Sequence, residues 1–124
     1  MTATFDSKKF RSVLGNLPTG VVIVSGVDVS GEPQGVTIGS FVSISLDPPL
    51  VGFFQGLNSK TWPAIAASGS FCANVLAQDQ SELCWRFAKE AEGRFDGVKW
   101  TPATSGSPKI AGSLAHIDCT IESS

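Results

Sequence analysis

The clearest pattern of hydrophobic and polar positions is the alternation over residues 35–46, which predicts one strand with two unlike faces. One face carries Ile38, Val42, Ile44 and Leu46, and the other carries Thr37, Gly39, Ser43 and Ser45, with Phe41 among them. Because glycine and hydroxyl residues take little space, this second face leaves room for a ligand near the backbone. The pattern is equally typical of the solvent-facing side of an antiparallel sheet, so both interpretations stay open.

Similar patterns predict the other elements of the chain. Further strands are predicted over residues 21–24, 50–55, 70–76 and 117–122, with a hairpin turn over 28–33 that has Gly31 at its tip. Helices are predicted over 6–17 and 60–67 and from 79–82 onward. Residues 89–113 are rich in Gly, Ser, Pro and Lys, with Phe95, Val98 and Trp100 as isolated apolar anchors. The strands do not alternate with crossover helices, so we expect a mainly β fold, a small antiparallel barrel with short peripheral helices.

Composition narrows the class of protein. The 124 residues predict a single domain over 1–124, and only 16% of them are charged, which suggests that a second copy of the chain covers part of the surface. A net charge of -2 argues against nucleic-acid binding, and no apolar run is long enough to predict a membrane span. The odd number of cysteines, three, favours reduced thiols in a cytoplasmic protein.

The start of the helix predicted over 60–67 is the best candidate for ligand chemistry. Residues 58–61 offer an amide, two hydroxyls and an ammonium group, with Ser59 as the expected N-cap and Pro63 in the first turn. Free N–H groups and the helix dipole favour a phosphate there. An ordinary capped helix with an exposed lysine is the alternative.

Other polar and aromatic residues give weaker signals. Arg86 could reach a phosphate or lie in solvent, and the three tryptophans could stack on a planar ligand or fill the core. His116, the only histidine, is expected to be structural, and its isolation makes a metal site improbable. The residues therefore support a site for a flat, phosphate-bearing ligand, without a residue that can be assigned as catalytic.

Several motifs, in order along the chain, resemble those of the short-chain flavin reductases, the reductase components of two-component flavin-dependent monooxygenases. They are Phe10–Gly15, Pro18–Val21, Gly35–Leu50, Ser59–Trp62, Ala67–Leu76, Arg86–Ala88, Phe95–Val98 and Gly112–Ala115. The resemblance runs from about residue 8 to the end of the chain.

This resemblance implies an FMN-binding split barrel that forms a homodimer, with NADH or NADPH as hydride donor and FMN or FAD as acceptor. In that chemistry the flavin carries the reactive centre and the protein positions it. Reduced flavin would then leave for the oxygenase component of a monooxygenase.

The resemblance also implies which residues contact the flavin. The ring and ribityl chain would lie against Gly35, Val36, Thr37, Gly39 and Ser40, and the wall would continue through Phe54, Gln55 and Gly56. The phosphate would be held by Ser59, Lys60 and Thr61, with Arg86 and Phe87 completing the pocket.

The sequence departs from this family at its C-terminal end. Family members continue with a Gly-Asp-His strand and a Pro-Leu-x-Phe-x-x-Gly-Tyr segment near the nicotinamide, whereas this sequence ends at Ser124. We therefore expect a domain without the C-terminal closing segment. The alternative function is a flavin-binding module without reductase activity, and a third is a split-barrel domain without flavin.

Overall fold

The computed structural model describes residues 2–4, 22–46, 49–53, 60–89 and 93–123, and this part of the chain is mainly strand. The strands are β1 (Thr2–Thr4), β2 (Val22–Val27), β3 (Pro33–Ile38), β4 (Val42–Leu46), β5 (Pro49–Gly52), β6 (Ser70–Val75), β7 (Trp100–Pro102), β8 (Pro108–Ile110) and β9 (Ala115–Ser123). The helices are α1 (Thr61–Ala66) and α2 (Ser81–Lys89), and a 3₁₀ turn, Gln78–Gln80, leads into α2. The predicted helix over 6–17 lies outside the described residues.

Seven of these strands form one sheet in the order β3-β2-β6-β9-β1-β5-β4, in which every pair is antiparallel. β3 and β4 are therefore the two edges, which would lie roughly 29 Å apart in a flat sheet. Only residues 39–41 separate these two strands, and the chain from Ile38 to Val42 can span at most about 15 Å. The sheet must therefore curl into a barrel that is open between β3 and β4, which confirms the predicted fold class.

The prediction of one continuous strand over residues 35–46 is wrong. The chain leaves one edge of the sheet after Ile38 and joins the opposite edge at Val42. Ile38 and Phe41 are both buried in the same core, so Phe41 does not lie on the hydroxyl-bearing face. The three linking residues break the two-residue period, which the hydrophobic pattern alone does not reveal. The side chains of Val42–Leu46 lie outside the described residues.

Most other predicted elements are confirmed with shifted ends. β2 extends to Val27, and the hairpin turn follows it. β9 begins at Ala115, two residues before its predicted start. In that turn the side chain of Asp28 accepts hydrogen bonds from the amides of Ser30 and Glu32, and the Glu32 amide above all lowers the pKa of Asp28. The turn is therefore specified by local polar contacts.

The first helix begins close to its predicted start. Lys60 holds the N-cap of α1, and Pro63 lies in the first turn as predicted, where its missing N–H costs little. Ser59, the expected N-cap, lies outside the described residues.

The interior of the barrel is apolar and rich in aromatic rings. Phe53, Trp62 and Phe71 meet edge to face, with ring centroids 5.2 to 5.8 Å apart. Valines from β2 and Ile117 from β9 complete the same cluster. Burial of this much apolar surface is the main driving force for the fold.

The outside of the sheet is covered by α2 and by a hairpin of β7 and β8, which lies within the region expected to be irregular. Asn74 on β6 is fully buried there, donates to the carbonyl oxygen of Ile23 at 2.8 Å and accepts from the amide of Ile110 at 2.8 Å. Ser25 donates to the carbonyl oxygen of Pro108 at 2.6 Å. These side-chain hydrogen bonds attach the hairpin to the sheet. The strands of the hairpin are too short to show an alternating pattern in the sequence.

Candidate functional site

The site region begins at Gly35 on edge strand β3, where two phenylalanines come close to the backbone. A Cβ added to Gly35 would lie 2.7 Å from Phe87 Cε2 and 3.2 Å from Phe95 Cε2. The two rings meet edge to face, 4.9 Å apart. The space that Gly35 leaves is therefore filled by this chain's own aromatic side chains.

Thr37 is also covered from the same side. Its hydroxyl donates to the carbonyl oxygen of Cys84 in α2 at 2.7 Å, which ties the helix to β3. Val36, its neighbour, is half-buried and packs against the barrel core. The small side chains of β3 thus accommodate α2, which at Thr37 accounts for a pattern equally typical of ligand space and of a solvent-facing side.

Gly39 offers the open space that Gly35 lacks. It is exposed, and a Cβ built on it would meet no atom within 4 Å. Ser40 beside it is half-buried. This link between the two edges of the sheet can therefore accept a flat group against its backbone.

Arg94 connects β3 with the start of α1. Its Nη1 donates to the carbonyl oxygen of Gly35 at 2.7 Å and to Thr61 Oγ1 at 3.2 Å. These residues line a pocket of about 330 Å³, whose wall also includes the acidic residues Glu32 and Asp96. The guanidinium group and the hydroxyl are the groups in this wall that could bind an oxyanion, whereas the two acidic residues oppose one.

The start of α1, whose Thr61 lines this pocket, also carries Lys60. Lys60 is exposed and makes no side-chain cap bond, and the first turn contains no acidic residue. An anion near this turn would therefore meet a positive side chain and the positive end of the helix without an opposing carboxylate on the helix.

Two predicted site residues, Arg86 and Phe87, support the site from behind. Phe87 is fully buried, in a small cluster with Ile23 and Ile110. Arg86 Nη1 donates to the carbonyl oxygen of Asp96 at 2.8 Å, so this guanidinium holds the loop that carries Arg94. The structure brings Gly35, Thr61 and Arg94 together, with Arg86 and Phe87 in the layer that holds them. Phe54, Gln55, Gly56 and Ser59 lie outside the described residues.

The remaining candidates lie elsewhere. Trp62 is part of the core, Trp100 packs near Phe95, and Trp85 is exposed beneath the ammonium group of Lys89. His116 Nε2 lies 2.7 Å from the carbonyl oxygen of Ile110, which fits a structural role under the outer hairpin. Within the described ranges, no group of three His, Cys, Asp or Glu side chains could hold a metal ion. Neither described helix has the length and hydropathy needed to cross a membrane.

Comparison with known proteins shows the family to which this chain belongs. Residues 14–124 match the flavin reductase like domain. The chain belongs to the flavin reductase like family. It is 48% identical over 118 residues to HsaB, the reductase subunit of a flavin-dependent monooxygenase of Rhodococcus jostii. The aligned residues cover 95% of this chain and 60% of that protein.

Solved structures show the same relationship. Component B of nitrilotriacetate monooxygenase from Mycobacterium thermoresistibile is 47% identical, with a TM-score of 0.80 over 95% of this chain and 65% of that one. The NADH:FAD oxidoreductase SgcE6 of Streptomyces globisporus, in complex with NAD and FAD fragments, is 36% identical, with a TM-score of 0.76 over 96% of this chain and 73% of that one. This member of the family therefore spans 60% to 73% of the length of these proteins.

Arg94 is the residue of the site that sequence reasoning missed. It lies between Gly93 and Phe95, and the motif recognised in this region begins one residue later, at Phe95. A cation beside an apolar anchor in a glycine-flanked turn is the signal that could have found it, because the anchor fixes the backbone from which the cation extends.

Proposed function

We propose that this chain is the flavin-binding part of an NAD(P)H:flavin oxidoreductase that supplies reduced flavin to a partner monooxygenase. The observation that carries the proposal is the pocket lined by Gly35, Thr61 and Arg94, with Lys60 next to Thr61 in the chain. Gly39, four residues after Gly35, adds open space at its backbone. Membership of the flavin reductase like family gives this pocket its expected ligand.

The residues present fit a flavin with its phosphate at one end of the site. Lys60, Thr61 and Arg94 would hold the phosphate by charge-assisted hydrogen bonds. Gly39 and Ser40 would lie against the ring or the ribityl chain, since a Cβ at Gly39 meets nothing. Gly35 and Thr37 would contribute through the backbone, because their side-chain face packs against α2.

The flavin, when bound, supplies the acceptor for a hydride from NADH or NADPH. The chain itself would bind the phosphate and orient the ring at the open edge of the barrel. The related SgcE6 structure contains fragments of NAD and FAD, which supports both FAD and a nicotinamide as ligands of this fold. FMN or FAD as flavin, with NADH or NADPH as donor, remains our proposal for this chain.

The oxygenase partner, a homodimer and a cytoplasmic location also belong to the proposal. HsaB is named as the reductase subunit of a flavin-dependent monooxygenase, which supports an oxygenase partner. The low fraction of charged residues and the exposed side chains of Trp85 and Leu114 support a covered surface in a dimer. Measurement of the molar mass in solution tests the dimer directly.

The test of the function is anaerobic reduction of added FMN or FAD by NADH and by NADPH. The reaction is monitored through the loss of visible flavin absorbance. We expect reduction that depends on the protein and saturates with flavin. Flavin binding without reduction would support the flavin-binding module instead. Absence of both binding and reduction would contradict the proposal.

A further inference from the structure

Arg86 contacts the carbonyl groups of the loop over residues 93–98. Its Nη1 donates to the carbonyl oxygen of Asp96 at 2.8 Å and approaches that of Arg94 at 3.5 Å. Its Nη2 lies 3.8 Å from a carboxylate oxygen of Glu82, one turn earlier on the helix. The Arg86 guanidinium therefore lies between α2 and this loop and contacts both.

The backbone hydrogen bonds that shape this loop are short-range, so its place on the barrel depends on side-chain contacts. Two successive turns form it, with the Asp96 amide bonded to the carbonyl oxygen of Gly93 at 3.1 Å and the Val98 amide to that of Phe95 at 3.0 Å. Gly93 and Gly97 have φ values of 70° and 71°, a conformation that favours glycine. The turns fix the shape of the loop, and contacts with α2 fix its place on the barrel.

Two side chains of α2 contact the loop and fix its position on the barrel. Phe87 meets Phe95 on the apolar side, and its neighbour Arg86 holds the carbonyl groups of Arg94 and Asp96. From this backbone, Arg94 reaches the carbonyl oxygen of Gly35 and the hydroxyl of Thr61. A continuous set of contacts thus runs from Arg86, through the loop, to the pocket.

We propose that Arg86 is a positioning residue for phosphate binding: it orients Arg94 by holding the backbone of residues 94–96 and does not itself touch the flavin. This inference rests on the proposed function. An arginine suits the task because one guanidinium can serve two carbonyl oxygens in a fixed plane, whereas a lysine ammonium is a flexible point charge.

The experiment compares the affinities of FMN and riboflavin, which lacks the phosphate, for the full chain and its variants. The variants are Arg86→Ala, Arg94→Ala and both together, with Arg86→Lys as a second variant in case Arg86→Ala does not fold. Lys89→Ala is the matched control, because it removes an exposed cation of the same helix that lies over Trp85. Unfolding curves for every variant show that affinities are measured on folded protein.

Arg94→Ala should weaken FMN binding about tenfold or more, because a hydrogen bond to a charged group is worth roughly 1.5–3 kcal/mol. Arg86→Ala or Arg86→Lys should give a loss of several-fold for FMN and little for riboflavin. The double variant should bind FMN no more weakly than Arg94→Ala alone, because both changes remove one contact. Lys89→Ala should leave both affinities unchanged.

Three results would overturn the inference while leaving the proposed function in place. They are wild-type FMN affinity in the Arg86 variants, an equal loss for FMN and riboflavin, and additive losses in the double variant. Additive losses would mean that Arg86 meets the phosphate directly. If the wild-type chain binds neither flavin, the proposed function is contradicted and this inference with it.

Discussion

The two faces of the sheet are both covered, but they are covered by different means. Inside the barrel, Val22 and Val24 of β2 join an apolar cluster built around three aromatic rings. Outside, Ile23 lies in a small cluster and Ser25 in a hydrogen-bonded network with Asn74. The inner face supplies most of the apolar burial, whereas the outer face uses specific polar contacts to attach the outer hairpin and α2 to the sheet.

This difference suggests that changes inside and outside the barrel have separable effects. Loss of volume in the core should lower the free energy of unfolding of the whole sheet. Changes in the outer layer should act first on local order, and changes at the pocket should act on flavin affinity with little effect on stability.

Phe71→Ala tests the inner face and should have the largest effect. Phe71 is fully buried and meets the rings of Phe53 and Trp62. Its truncation should lower the free energy of unfolding by about 3–5 kcal/mol, measured by urea denaturation. Val29→Ala, which truncates an exposed apolar side chain in the hairpin turn, is the control and should change it far less. A loss below about 1 kcal/mol for Phe71→Ala would contradict the assigned core.

Asn74→Ala tests the outer network and should cost about 2–3 kcal/mol, because it leaves the buried amide of Ile110 and the hydroxyl of Ser25 without this partner. The hairpin of β7 and β8 should loosen, so hydrogen exchange of the Ile110 amide should speed up more than that of amides in β6. Gln78→Ala, which removes an exposed side-chain amide, is the control. Unchanged protection of Ile110 would contradict the role of the network.

A pair of glycine substitutions separates packing from ligand space. Gly35→Ala should destabilise the protein by about 1–3 kcal/mol, because its Cβ would press on Phe87 and Phe95. Gly39→Ala should change stability by less than about 0.5 kcal/mol, since its Cβ meets no neighbour, yet it should weaken flavin binding. For each variant, denaturant unfolding measures the stability and flavin titration measures the flavin affinity. Wild-type flavin affinity in Gly39→Ala would exclude the proposed ring position.

Lys60→Ala combined with Thr61→Ala should weaken FMN binding about tenfold, because it removes charge-assisted phosphate contacts. Riboflavin binding should change little, and both affinities can be measured by flavin fluorescence. The matched control is Lys99→Ala with Thr101→Ala, an exposed lysine and threonine at the start of the outer hairpin. Equal FMN affinity in the wild type and the Lys60 and Thr61 variant would reject the phosphate assignment.

The smallest expected effect is a difference in reactivity among the three cysteines. Cys84 in α2 is half-buried, whereas Cys72 and Cys119 are buried in the sheet, and burial raises the pKa of the Cys119 thiol. Because the thiolate is the reactive form, a thiol reagent at neutral pH should modify Cys84 quickly and the other two only after denaturation. Rapid reaction of all three cysteines in the folded protein would contradict the buried positions.

Local sequence signals predicted much of the barrel but not the way in which the site is assembled. The β-branched run of β2, the turn after it and the alternation of β9 each specify their element within a few residues. The break at residues 39–41 was missed because alternating residues on both sides make the segment look like one strand. The β7 and β8 hairpin was missed because each strand has three residues and depends on Ser25 and Asn74 for attachment.

The sequence predicted a set of site residues, of which Gly35 and Thr61 line the candidate pocket. The face that carries Thr37 was interpreted either as room for a ligand or as a solvent-facing side, and at Thr37 α2 packs against it. At Gly35, Phe87 of α2 fills the space beside the backbone. Arg94 extends to the pocket from a loop that contacts Arg86 and Phe87 of α2, and such tertiary contacts leave no periodic trace in sequence.

The most direct test of this account is a crystal structure of the chain with FMN. We predict that the phosphate lies within hydrogen-bond distance of Thr61 Oγ1 and the Arg94 guanidinium, with the ring beside Gly39. A second cleft, of about 300 Å³ between α2 and the outer hairpin, includes Lys99 and Asp79 in its wall. FMN bound in that cleft, or away from Arg94, would contradict the proposed site.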